Sequence, residues 1–410
     1  MESSAIFTQA LGLSSPWQIS EVKFSESSEE AHTKVLEIWI RHSKGAKFSY
    51  EGVEYSVYDH QPRKWRHLNF FQHTCYLYCD VPRIQTSDGH TLLVEVPWAR
   101  PGSSFTLLFE AYSLLLVESG MNYSAAAKLL GLDSRCVSRM LNHYVEAALE
   151  QTPLASIEQV GLDETSVQKG HKYVTVLSDP VEKRVVGLSL GKDTKAAHTA
   201  IEQMKSRGAN PSKVKLASID LSKSYIRACK EHLPKAKIVF DRFHLQKLLN
   251  QAVDQVRRED QKHNQALKRS RYLWLRNAED LREEKRQTLL YLQQLCPRIG
   301  QAYRLKEQFR EIWNGNTAQQ AISELKAWMK LAQKSLIPPI QAFVKTLQNH
   351  WYGITTYFKT RLTNAYAERV NLTIQEIKRT ARGFRNMDNF FNIIYFRLGK
   401  LNLNLPTING

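Results

Sequence analysis

No stretch of the 410 residues approaches the roughly 18 consecutive apolar positions needed to cross a bilayer, so a membrane-spanning protein is not expected. The first residues, MESSAIFTQALGLSSPW, lack the basic segment and apolar run of a secretory leader, and a cytoplasmic protein is expected. Cysteine is scarce. Cys75, Cys79, Cys136, Cys229 and Cys296 form an odd, scattered set, which argues against a disulfide framework. Acidic residues are outnumbered, 40 Asp and Glu against 57 Lys and Arg, and the net charge is +17. A positive field of that kind attracts polyanions, so nucleic acid is the expected partner and a membrane is not. What is plentiful excludes long disorder: 42% of residues are hydrophobic and 10% aromatic. The length calls for roughly two to four structural units.

Residues 1–105 mix short β-like runs, such as YLYCDVPRI and TLLVEVPW, with polar turns, as a small β-containing domain would. From Phe105 the pattern turns helical. In MNYSAAAKLLGLDSRCVSRMLNHYV, Ser124 can cap a short helix carrying Ala126, Leu129 and Leu130, and Gly131 supplies a turn. Asp133 or Ser134 can cap a second helix with Val137, Met140 and Leu141 inward. This rhythm predicts a helix-turn-helix over 106–150. Ser134, Arg135, Ser138 and Arg139 at the start of its second helix suit base edges and phosphates, because that end enters the major groove. The plainer alternative is a helical hairpin in a small bundle.

After a linker at Thr152–Ser156 the period changes to two. EQVGLDET, KYVTVLS and RVVGLSLG read as consecutive strands, a helix capped by Asp193 or Thr194 follows, and KVKLASID and AKIVFD flank one more helix. The order β-β-β-α-β-α-β is that of an RNase H-like domain, in which the first and fourth strands are neighbours and Asp163 and Asp220 share a cleft. Two carboxylates held close repel unless a cation intervenes. Mg²⁺ suits them: it takes oxygen ligands, and two such ions can serve an in-line phosphoryl displacement. Glu164 should point away from Asp163, because strand side chains alternate faces. Either aspartate alone is more simply a solvated strand end. Residues 248–355 lack strand signals and read as a helical insertion, with Trp274, Trp313, Trp328 and Trp351 as core. The sheet domain, begun at 151–247, resumes at 356–410. There Thr363 or Asn364 caps a helix on which Glu368, Asn371, Gln375, Lys378 and Arg382 share one face. From 356 to 402, nine Lys and Arg stand against three Asp and Glu, which suits a surface gripping DNA. The plainer reading of that helix is a solvated amphipathic one.

GLDET, SIDLSKSY, DRFH and LTNAYAERVNLTIQEIKRTARGFRN together resemble bacterial insertion-sequence transposases of the DDE type, most closely the family typed by insertion sequence L-three. WRHL, VPR and VPWAR extend the likeness into the N-terminal domain. The resemblance implies a multidomain α+β protein: an N-terminal zinc-ribbon-like domain, a helix-turn-helix and an RNase H-like catalytic domain split by an all-helical insertion. It implies a catalytic and metal-binding triad of Asp163, Asp220 and Glu368, with Asp241 and His244 supporting it, and two Mg²⁺ ions per site with Mn²⁺ as a substitute. It also implies end recognition through the helix-turn-helix, phosphate contacts from Lys378, Arg379, Arg382 and Arg385 beside Asn371 and Gln375, and a homodimer or larger assembly on paired DNA ends at the nucleoid. Relatives carry zinc-binding pairs before WRHL and after VPR. Here Ser49, Gly52, Thr86 and Gly89 stand at those positions, and none is a good zinc ligand, so zinc is not expected. A substitute site from His73, Cys75, Cys79 and His90 is the lesser alternative, and a core of Trp65, Leu68, Tyr76, Tyr78 and Trp98 would carry that fold instead. Two other functional classes fit part of the pattern: a structure-specific nuclease of the same fold, and a non-catalytic helix-turn-helix regulator.

Overall fold

The computed structural model describes residues 3–26, 34–154, 156–168, 172–314 and 317–405, and alternating apolar residues in the first hundred positions produce a sheet. Residue 155 of the expected linker and the first expected turn of the second sheet, at 169–171, lie outside the described residues. The chain divides into two units, Met1–Ala148 with Asn402–Gly410, and Leu149–Leu401.

In the first unit a short helix α1 (Ser3–Ala10) precedes β1 (Trp17–Glu26), β2 (Lys34–His42), β3 (Lys47–Tyr50), β4 (Val53–Phe70), β5 (His73–Gln85) and β6 (Thr91–Leu93). The strands pair in the order β1-β2-β5-β4-β3, with β6 also on β5. Along β5 the residues Cys75, Leu77, Cys79 and Val81 are buried, and they meet Leu36, Ile38, Ile40, Trp65 and Trp98 in one core. The period of two puts Tyr76 and Tyr78 on the opposite face, where Tyr78 stacks on Trp39 and Lys64 lies over Tyr76. Trp65 and Trp98 are therefore core residues as expected, whereas Leu68, Tyr76 and Tyr78 are only half-buried.

Three helices complete this unit: α2 (Leu107–Glu118), α3 (Tyr123–Leu130) and α4 (Ser134–Gln151). Glu110 of α2 is fully buried and accepts from Arg100, from Ser103 Oγ at 2.8 Å and from the Tyr144 hydroxyl at 2.6 Å. This network locks α2 to α4 and to the loop before them.

The second unit opens with β7 (Gln159–Gln168), β8 (Lys172–Asp179) and β9 (Arg184–Leu190), antiparallel neighbours. Helix α5 (Thr194–Ser206), capped by Asp193, leads to β10 (Leu216–Ile219), and α6 (Lys223–His232) leads to β11 (Lys237–Phe240). The sheet order is β11-β10-β7-β8-β9, with β10 parallel to both its neighbours. This is the mixed five-stranded sheet of an RNase H-like domain. From β11 the chain runs through α7 (Arg242–Asp260), α8 (Arg271–Leu275), α9 (Glu283–Leu295), α10 (Pro297–Ile312), α11 (Ala318–Lys334), α12 (Pro338–Asn349) and α13 (Trp351–Thr360). Trp274, Trp313 and Trp328 are buried in this helical layer, and Trp351 is half-buried against it. α13 returns to the sheet: Gly353 lies so close to Phe240 that a Cβ there would stand 2.4 Å from the ring. Helices α14 (Ala365–Thr380) and α15 (Met387–Leu398) close the unit. Among the described residues no helix is long and apolar enough to cross a membrane.

Candidate active site and nucleic-acid interface

The parallel register of the second sheet sets out the acids. Leu162 of β7 pairs with Ile219 of β10, and Ile219 pairs with Phe240 of β11. The residue after each of these three is an aspartate, so Asp163, Asp220 and Asp241 form a row across adjacent strands that stand about 4.8 Å apart. The sequence assigned Asp241 a supporting role; the register places it in line with the other two.

Asp163 is buried, with Oδ1 accepting the Glu164 N–H at 2.9 Å and Oδ2 accepting the Asn371 amide at 2.9 Å and, more weakly, the Asn364 amide at 3.5 Å. Burial pushes its carboxyl up to about 6 against the lowering effect of the Glu164 N–H, and the charges of Asp220 and Asp241 add to the rise. Asp220 Oδ1 accepts the Ser222 N–H at 2.8 Å. Its carboxyl is raised by burial and held back by that bond and by His244, Lys247 and Lys192. Asp241 caps α7 through the Phe243 N–H at 3.2 Å, and burial raises it as well. Its Oδ2 is buried with no hydrogen-bond partner and lies 3.9 Å from His244 Nε2. Three raised carboxyls in a row, one with an orphaned oxygen, suit a hard divalent cation with oxygen ligands.

Helix α14 lies on β7 through the face the sequence marked. Besides Asn371, Gln375 donates to Thr165 Oγ1 at 2.6 Å and to the Ser166 carbonyl at 2.8 Å, and Lys378 donates to that carbonyl at 2.9 Å. Asn371, Gln375 and Lys378, expected on DNA, fasten the helix to β7 here while staying partly exposed. Glu368 is exposed in the first turn of the same helix, preceding Asn371 on that face. Asn364 holds the cap position but makes no capping bond; its amide turns to Asp163 instead. The seven-residue spacing of Asn364 and Asn371 was the signal for this, since it puts both on one helix face. Glu164 keeps to the opposite side of β7, as alternation requires, yet burial together with Asp220 and Asp163 raises its carboxyl. It therefore contributes to the field of the cleft. Arg379, Arg382 and Arg385 are exposed, with no ion pair among the described residues.

In the first unit, Asn122 and not Ser124 caps α3, its side chain accepting the Ala125 N–H at 2.8 Å, and Gly131 ends the helix at φ 66°. Leu129 is 64% exposed, so Ala126, Ala127 and Leu130 carry the inner face. Asp133 accepts the Arg135 N–H at 2.7 Å at the start of α4. Val137, Met140 and Leu141 are inside as expected. Arg135 and Arg139 are exposed and Ser134 is half-exposed. Ser138 is corrected: it is buried, with its hydroxyl returned to the Arg135 carbonyl at 3.2 Å, and is unavailable to a base.

Comparison with known proteins bears on all three regions. Residues 160–394 match the model described as transposase of the ISL3 DDE type, and residues 94–145 match the helix-turn-helix domain of transposase family ISL3. The transposase for insertion sequence element IS1001 of Bordetella parapertussis is 28% identical over 345 residues, which cover 82% of this chain and 84% of the relative. The transposase for IS1557 of Mycobacterium tuberculosis is 23% identical over 420 residues, covering 94% and 93%.

Residues 52–87 match a model described as the zinc-finger of transposase IS204/IS1001/IS1096/IS1165. This overturns the expectation of a domain without zinc, and zinc is the metal that these comparisons name. The expectation was drawn from Ser49, Gly52, Thr86 and Gly89, which the structure sets at two hairpin ends. Elsewhere in the same sheet, His42 and His60 face each other, Nε2 to Nε2, at 2.9 Å. Cys75 and Cys79 lie in the core of that sheet, where burial pushes both thiols up to about 12. The match over more than half of its length, the RNase H-like sheet and the row of acids agree: the chain belongs to the ISL3 family of DDE transposases.

Proposed function

We propose that this transposase binds the terminal inverted repeats of an insertion sequence, hydrolyses a phosphodiester at each end and joins the freed 3′-hydroxyls to target DNA. The observation that carries the reading is the aspartate row: one oxygen-rich cleft where β10 and β11 end beside the middle of β7, to which they run parallel. Asp163 and Asp220 from the sheet and Glu368 from α14 would hold a divalent cation. When bound, such a cation activates water or a 3′-hydroxyl and stabilises the leaving oxygen. The rest falls to the chain's own groups. Asn364 and Asn371 orient Asp163, Asp241 and His244 complete the cleft, and Lys192 and Lys247 draw the phosphate toward it. Arg135, Arg139 and Ser134 read the ends from α4, while Arg379, Arg382 and Arg385 hold backbone phosphates. Two ends must be brought together for joining, so the working form is a dimer or larger assembly at the nucleoid in the cytoplasm.

The test is incubation of purified protein with labelled element ends, unlabelled target DNA and a divalent metal salt. Nicks at the 3′ ends and joined products are expected. Asp163→Ala, Asp220→Ala and Glu368→Ala should each abolish nicking and leave end binding nearly unchanged. A variant that cuts like wild type would remove its residue from the triad, and nicks without joined products would favour a nuclease.

A further inference from the structure

We propose that His198, Glu202 and His232 form a second metal site, selective for a borderline transition ion such as Zn²⁺, that ties α5 to α6. His198 and Glu202 are four residues apart on α5 and so share a face. His232 is the last residue of α6. One donor atom from each lies within 4.8 Å of the other two. The His198 and His232 rings stack at 4.2 Å, inclined by 21°, and His198 Nε2 is 3.6 Å from Glu202 Oε1. Lys205 also approaches Glu202, at 3.4 Å, and Glu231 lies 3.9 Å from His232 but is bonded to Arg227.

Donors around a tetrahedral ion stand about 3.3 Å apart. All three side chains are partly exposed, so small rotamer changes close the difference. Two imidazoles and one carboxylate are ligands for Zn²⁺, Co²⁺ or Ni²⁺ and poor ones for hard ions that prefer all-oxygen shells. The aspartate row has the opposite character, with oxygen ligands only. The two sites therefore sort metals by chemistry. α6 begins just after Asp220, so an ion at its far end fixes the helix that leaves the cleft without touching the acids.

Full-length protein stripped by a chelator, then returned to excess Mg²⁺ to occupy oxygen sites, is titrated calorimetrically with Zn²⁺. Wild type should take up about one more equivalent than the His198→Gln/His232→Gln variant, whatever the N-terminal domain holds in both. Amides of α6 should exchange more slowly with Zn²⁺ in wild type only. Glu202→Gln, which keeps both imidazoles and the helix, should weaken this equivalent by at least about tenfold, the loss typical even for an outer partner of a metal ligand. Equal uptake by wild type and the double variant, or unchanged affinity in Glu202→Gln, would overturn the site. Ends binding and nicking are measured separately, so failure here leaves the reading of the cleft intact.

Discussion

Replacing Asp163 by Asn removes a buried charge while preserving the size of the side chain, and its effect on stability depends on pH in a calculable way. Burial moves this carboxyl from its ordinary 3.8 to about 6. A carboxyl raised in the folded state favours folding while protonated. Wild type therefore loses stability as pH climbs from 3.8 through about 6, and the loss is complete above that interval. At about 1.4 kcal/mol for each tenfold change in proton affinity the whole loss is about 3 kcal/mol, of which about 2 kcal/mol falls between pH 4 and pH 7. The amide is an imperfect substitute, because one end of it is a donor facing either the Glu164 N–H or the Asn371 amide. That mismatch costs about 1–3 kcal/mol, at every pH alike, and cancels when two pH values are compared. Urea unfolding of wild type and Asp163→Asn with a chelator present, at pH 4 and pH 7, gives the comparison. The stability of the variant relative to wild type should rise by about 2 kcal/mol from the lower pH to the higher. A flat difference, or one of the opposite sign, would refute the claim that Asp163 is held in a desolvated, acid-crowded site. A divalent cation added at pH 7 should then stabilise wild type more than the variant.

Three further outcomes follow from the same coordinates. Gly353→Ala pushes a methyl into the Phe240 ring, so thermal unfolding should show a loss of about 1–3 kcal/mol or more, with nicking reduced as β11 shifts. Arg135→Ala and Arg139→Ala should each weaken binding to the element ends by about 1–3 kcal/mol and spare random DNA, whereas Arg379→Ala, Arg382→Ala or Arg385→Ala should weaken binding to every sequence and flatten its salt dependence; equal losses on both DNAs for the first pair would move recognition elsewhere. Glu110→Ala strands the Arg100 guanidinium and the Tyr144 hydroxyl, and should cost about 3–5 kcal/mol in denaturant unfolding of the first unit, with end binding lost as α4 loosens; a near-neutral result would mean that water replaces the carboxylate.

The strands of the second sheet were legible because each is a short apolar run between polar turns, and the adjacency of β7 and β10 followed from their order. The alignment of Asp241 with Asp163 and Asp220 was not, since it depends on a register between three strands that no local pattern encodes. Ser138 was misplaced for a different reason. A serine whose hydroxyl bonds the carbonyl three residues back carries its own partner, so burial costs it little and polarity is a poor guide to exposure. Asn122 and Ser124 are both good caps two residues apart, and only the bond to Ala125 decides between them. The residues of the α14 face do lie on one side of the helix, and what the pattern could not show is that Asn371 meets the buried carboxylate of Asp163 while Gln375 and Lys378 meet Thr165 and Ser166 of β7. Zinc was discounted from four side chains, whereas kinship of the whole module lies in its pattern over residues 52–87.

The helical layer leaves the sheet at Asp241, through α7, and comes back onto Phe240, through α13. Entry and exit thus share one strand. A detour that begins and ends at the same point can lengthen, shorten or be rebuilt between its ends without altering the distance from the aspartates to α14. Growth of that segment is accordingly the cheapest way for the protein to acquire new surface. The same arrangement makes β11 a fulcrum: any tilt of the helices is delivered first to the strand that Asp241 follows, and the third acid of the row feels it before the other two.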